Sequence, residues 1–72
     1  MVVIHVVDWN GSPVHYAEVT IIWSDFPANT HSTEHTDYDG NAYFDGSGTG
    51  TVYVDGREVC SEYLDGSYTF TS

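Results

Sequence analysis

A chain of 72 residues forms one domain, 1–72, and at this size only about 60% of the unfolded surface is hidden on folding, so every element has to feed a single core. Hydrophobic residues make up 40% of the chain and aromatics 15%, too much of both for intrinsic disorder. Eleven Asp and Glu against one basic residue, Arg57, give a formal net charge of −10, which repels nucleic-acid backbones and anionic membrane surfaces, so neither is expected as a partner.

The start, Met1-Val2-Val3-Ile4, has no basic flank, and His5 and Asp8 interrupt its apolar run. It reads as neither a signal peptide nor a membrane-spanning helix, which leaves either a cytoplasmic protein or a domain trimmed from a longer one. Val2 to Asp8 is otherwise apolar at both parities, as in a strand sheltered on more than one side, with Ile4 and Val6 expected on its core face. Asp8 to Val19 follows, a Gly- and Pro-bearing stretch between two apolar runs. It is expected to set how the first strand leaves one sheet and the second strand begins another.

From Ala17 the alternation is clean: Ala17, Val19, Ile21 and Trp23 share one face of a half-buried strand. Ser24 to Thr30, with Pro27 and Asn29, reads as a loop. His31 to Thr36 is a polar strand of edge character, and Asp37-Tyr38-Asp39-Gly40 turns it into Asn41 to Asp45, where Ala42 and Phe44 point inward. The parity of His31 to Thr36 stays open: one loop length buries His31, Thr33 and His35, the other Ser32, Glu34 and Thr36. Gly46 to Gly50 reads as a flexible connector. Asp55-Gly56 and Asp65-Gly66 are both two-residue hairpin signals. Together they predict a three-stranded meander whose core face collects Val52, Val54, Val59, Tyr63, Tyr68 and Phe70, with Cys60 and Leu64 on the opposite face. The fold class is therefore all-β, a small antiparallel β-sandwich of six or seven strands.

Cys60 is the single cysteine, so no intrachain disulfide forms, and on a strand it reads as a small hydrophobe. Absence of Lys, with Asp in excess over Glu and abundant Thr, suits either an acidic extracellular or cell-surface module or a protein solvated in high salt.

Asp37, Asp39 and Asn41 alternate around Gly40 as oxygen ligands do at the opening of a calcium loop, although no Glu closes the loop at its twelfth position. The competing reading is a hairpin turn whose Asp side chains bond their own backbone. His31 and His35 would lie about 13 Å apart on one strand at roughly 3.3 Å per residue, too far to share an ion. Trp9, Tyr16, Tyr43 and Tyr53 fall outside the expected core, and such rings form either a stacking platform for sugars or ordinary cross-strand packing. Ser, His and Asp are all present, but no nucleophile elbow or oxyanion-forming turn accompanies them, so no catalytic residue is assigned.

Three segments carry a resemblance. Asp8-x-x-Gly11-x-Pro13-Val14-x-x-Ala17-x-Val19, then Thr36-Asp37-x-Asp39-Gly40-Asn41-x-x-Phe44, then Gly50-Thr51-Val52-Tyr53-Val54-Asp55-Gly56 resemble the carboxypeptidase regulatory-like and Cna-B-like group of prealbumin-type, Ig-like β-sandwiches. The resemblance covers roughly Val2 to Gly56 and implies seven strands in two sheets. It also implies a non-catalytic role: a stalk or spacer module of a surface protein, an accessory domain beside an enzyme, or a module facing a protein or glycan partner. With no Lys, the internal Lys–Asn crosslink of some Cna-B-like domains has no donor. The chain departs from the pattern at Tyr16, a position where the family often carries Gly before the Ala.

Overall fold

A computed structural model describes residues 1–24 and 30–72. Seven strands lie among them: β1 (Val2–Val7), β2 (Glu18–Trp23), β3 (Thr30–His35), β4 (Asn41–Phe44), β5 (Gly48–Val54), β6 (Arg57–Leu64) and β7 (Gly66–Thr71). They form a three-stranded sheet ordered β4-β1-β7 and a four-stranded sheet ordered β3-β2-β5-β6. One hydrophobic core draws on both, which makes the arrangement β-sandwich-like. No helix among the described residues is long and apolar enough to cross a membrane.

The core follows from period-2 patterning. Val2, Ile4 and Val6 of β1 and Val19, Ile21 and Trp23 of β2 are buried, as are Ala42 and Phe44 of β4. Burying side chains of this size is worth about 1.5–3 kcal/mol each, which is how so short a chain offsets its conformational entropy. β1 is the central strand of its sheet, and its outward row, Val3, His5 and Val7, is half-buried. Asp8 to Val19 carries the chain from one sheet to the other, as expected. The expected loop from Ser24 to Thr30 falls mostly on residues 25–29, outside the described residues, and Thr30 itself opens β3. β3 is an edge strand, and its parity is settled by Thr36, which is buried, and Ser32, half-buried and accepting a hydrogen bond from Trp23 Nε1 at 3.3 Å. Part of the Gly46–Gly50 connector is strand, since β5 begins at Gly48.

Two expectations for the last third are corrected. Asp55-Gly56 does form the β5–β6 hairpin, with φ of 50° and 84° and Val54 opposite Arg57. A bulge then intervenes, because Tyr53 pairs with Glu58 whereas Val52 pairs with Cys60. One extra residue on β6 sends everything after it to the other face. Leu64 is consequently fully buried and Cys60 turns inward, whereas Tyr63 is 62% exposed with its ring in water. The second correction is topological. Asp65-Gly66 is not a hairpin, and β7 instead joins the other sheet, parallel to β1, with Val2 opposite Gly66 and Val6 opposite Phe70. The sandwich is thus not wholly antiparallel. Gly66, at φ 103°, allows the change of direction, and the Tyr68 hydroxyl braces it by accepting the Asp65 N–H at 2.8 Å. Tyr68 and Phe70 still pack against the core, but from the sheet that β1 would otherwise leave open.

Candidate functional site

Two turns meet at one end of the sandwich because β1 and β4 are antiparallel, with His5 opposite Asn41. The first is Asp8-Trp9-Asn10-Gly11-Ser12 and the second Asp37-Tyr38-Asp39-Gly40-Asn41. They share one hydrogen-bond pattern. In the first, Asp8 Oδ1 accepts the Asn10 and Ser12 N–H groups at 2.9 and 3.0 Å, and the Gly11 N–H donates to the Asp8 carbonyl at 2.9 Å. In the second, Asp37 Oδ1 accepts the Asp39 and Asn41 N–H groups at 2.9 and 3.0 Å, and the Gly40 N–H donates to the Asp37 carbonyl at 2.9 Å. Both glycines sit at positive φ, and a Cβ on Gly40 would come within 2.7 Å of the Val6 carbonyl oxygen. Each turn lifts the aromatic residue after its Asp into water, leaving Trp9 84% and Tyr38 82% exposed.

A third segment reaches the same end. Thr36, buried at the close of β3, donates from Oγ1 to the Val14 carbonyl at 2.7 Å and accepts the Ala17 N–H at 2.8 Å. Its carbonyl accepts the Tyr16 N–H at 2.9 Å. So clamped, Tyr16 adopts φ 63°, a left-handed conformation that costs an L-residue roughly 1–2 kcal/mol and Gly nothing. The backbone there is one that Gly adopts freely. The ring that Tyr16 brings instead stacks on His35, with centroids 4.4 Å apart and planes at 16°. His15 stacks on Tyr38 at 4.1 Å and 5°, and His15 and Tyr16 meet at 5.9 Å in a tilted contact. The result is a run of four exposed rings, Tyr38, His15, Tyr16 and His35, in which each end ring has one stacked partner and each middle ring has one stacked and one tilted partner.

Of the four rings that the sequence offers either as a sugar platform or as cross-strand packing, the structure brings Trp9 and Tyr16 to this end. Tyr43 and Tyr53 lie elsewhere, on the outer faces of opposite sheets between buried neighbours. His15, His35 and Tyr38 join the surface without being singled out as ring candidates by the sequence. The available signal was the repeated Asp-aromatic-x-Gly, at residues 8–11 and 37–40. Around Gly40, one Asp37 oxygen is engaged by backbone N–H groups and Asn41 Oδ1 lies 2.8 Å from His5 Nδ1. The turn is self-bonded, and it links two sheets rather than closing a hairpin. Among the described residues no group of three or more His, Cys, Asp or Glu is placed to hold a metal ion. At the other end of the strands, a shallow open depression of about 260 Å³ is lined by Trp23, Thr30, Ser32, Asp45, Gly46 and Ser47. Comparison with protein-family models, with curated proteins and with solved structures finds no match to this chain.

Proposed function

We propose that the protein is a non-enzymatic interaction module of the carboxypeptidase regulatory-like or Cna-B-like, prealbumin-type kind, acting as an accessory or spacer domain that holds a neutral glycan against the ring array. The seven strands in two sheets support the family reading, being what the resemblance implies. The observation that carries the contact surface is the pair of like-bonded turns at one end, which lift Trp9 and Tyr38 into water, Tyr38 continuing through His15 to the Tyr16–His35 stack. Strain at Tyr16 points the same way, since a left-handed tyrosine persists where its side chain has a use. Stacking on one face pre-orders the rings and lowers the entropy cost of binding a ligand on the other. Asp8, Asp37 and Asp39 make this end acidic, which disfavours anionic sugars and leaves neutral ones.

The test is an amide NMR titration with neutral oligosaccharides of glucose, mannose and N-acetylglucosamine, with a sulfated oligosaccharide as control. Shifts are expected at millimolar ligand and to cluster in residues 8–17 and 35–41, with none from the sulfated sugar. A flat response to all neutral sugars, or shifts centred on Tyr43 or Tyr53, would count against the reading.

A further inference from the structure

The four sheet edges are not equally protected. β3 carries Glu34, β6 carries Arg57, Glu58 and Glu62, and β4 is only four residues long, each a usual defence against strand addition. β7, Gly66-Ser67-Tyr68-Thr69-Phe70-Thr71, has six residues, no charge and no Pro. It is bonded to β1 on one side, and no described strand lies on the other. The Gly66 N–H donates to the Met1 carbonyl at 3.2 Å and the Ser72 N–H to the Val7 carbonyl at 2.7 Å. Because backbone groups alternate in direction along a strand, the N–H groups of Ser67, Thr69 and Thr71 point to the open side.

What flanks that side is acidic. β6 and β7 share one flank of the sandwich, since the single residue Asp65 connects them. Glu62 pairs with Gly50, in the inward row of β6 between Cys60 and Leu64, yet it is exposed. The three-stranded sheet therefore stops short of β6 there, and Cys60, Tyr68 and Phe70 stay only half-buried. A strand added beside β7 would lie along Glu62. With a net charge of −10, a second copy is repelled and a cationic chain attracted.

We propose that the open edge of β7 takes up an extended, basic polypeptide segment as the fourth strand of the β4-β1-β7 sheet. Main-chain bonds to Ser67, Thr69 and Thr71 supply the affinity. Glu62 selects a lysine or arginine on the side chain row that faces β6.

The probe is a synthetic six-residue peptide alternating lysine and valine, matched by one alternating glutamate and valine, each titrated into the whole chain by calorimetry and amide NMR. The lysine peptide is expected to shift the Ser67, Thr69 and Thr71 amides, and the glutamate peptide to bind at least about tenfold more weakly. Thr69→Pro removes an outward N–H without touching the β1 ladder and should weaken binding about tenfold. Should that variant fail to fold, Glu62→Gln, a change at an exposed side chain, should still weaken binding about twofold to fivefold. Equal affinity for the two peptides, shifts on the β3 or β4 edge, or undiminished binding by folded Thr69→Pro would each overturn the proposal. So would concentration-dependent dimerisation through β7 with no response to the lysine peptide.

Discussion

Thr36 and Ala17 hold each other by a closed pair of hydrogen bonds: the Thr36 N–H donates to the Ala17 carbonyl at 3.0 Å, and the Ala17 N–H donates to Thr36 Oγ1 at 2.8 Å. The Thr36 hydroxyl also reaches the Val14 carbonyl, so one buried side chain ties the approach to β2 onto the end of β3. Thr36→Val keeps the shape but orphans the Ala17 N–H and the Val14 carbonyl. The expected loss is about 2–4 kcal/mol, whereas Thr36→Ser should cost about 1 kcal/mol. Urea unfolding of the two variants checks the ordering.

The left-handed backbone at Tyr16 makes an inverted prediction. At most strand and loop positions Gly is the more damaging replacement, but here Tyr16→Ala keeps the strain and loses the stack on His35, whereas Tyr16→Gly loses both. Tyr16→Gly is expected to be about 1 kcal/mol more stable than Tyr16→Ala, the relief exceeding the extra freedom Gly brings to the unfolded chain. Thermal denaturation of the pair measures it, and a less stable Gly variant would remove the strain argument.

The like-bonded turns predict like energetics. Asp8→Ala and Asp37→Ala each strip a carboxylate oxygen from two backbone N–H groups and should each cost about 1–2 kcal/mol. Millimolar calcium is expected to leave the melting temperature unchanged, because the Asp37 oxygen and Asn41 Oδ1 already have partners. A rise that vanishes in Asp39→Ala would instead show a cation held at this turn.

Burial and, secondarily, the Glu62 carboxylate push the Cys60 thiol above its ordinary pKa. The unfolded chain then releases this proton at a lower pH than the folded one, so in that alkaline window the unfolded state binds fewer protons and stability falls as pH rises. Relative to Cys60→Ala, the wild type should lose stability through that window and keep a constant difference, set by the packing of the Cys60 sulfur, below it. Iodoacetamide should modify folded Cys60 more slowly than an unfolded thiol at neutral pH, and Glu62→Gln should speed the reaction.

Much of the fold was legible because local chemistry decided it. The Ala17–Trp23 alternation, the Ala42 and Phe44 pair and the Asp55-Gly56 turn all stand as the sequence suggests. The bulge beside Val59 and the departure of β7 were not legible, because no residue there signals them. Burial of Leu64 decides the first, and the free edge of β1 decides the second, and both are properties of the assembled sheets. The same holds for the ring array. Trp9 and Tyr16 stand out in the sequence as rings outside the core, but His35 becomes a neighbour of Tyr16 only when β3 runs beside β2, and Tyr38 joins through a turn between sheets.

Tyr16→Gly is also the cleanest probe of the ring surface, because it deletes a ring where the backbone prefers Gly. The decisive measurement is the affinity of wild type and Tyr16→Gly for whichever neutral oligosaccharide gives the largest amide shifts, with the rest of the amide spectrum as the check on fold. A loss of at least about tenfold is expected in the variant, with spectral changes confined to the residues around 14–17 and 35–38. Unchanged affinity in a folded Tyr16→Gly protein would contradict it.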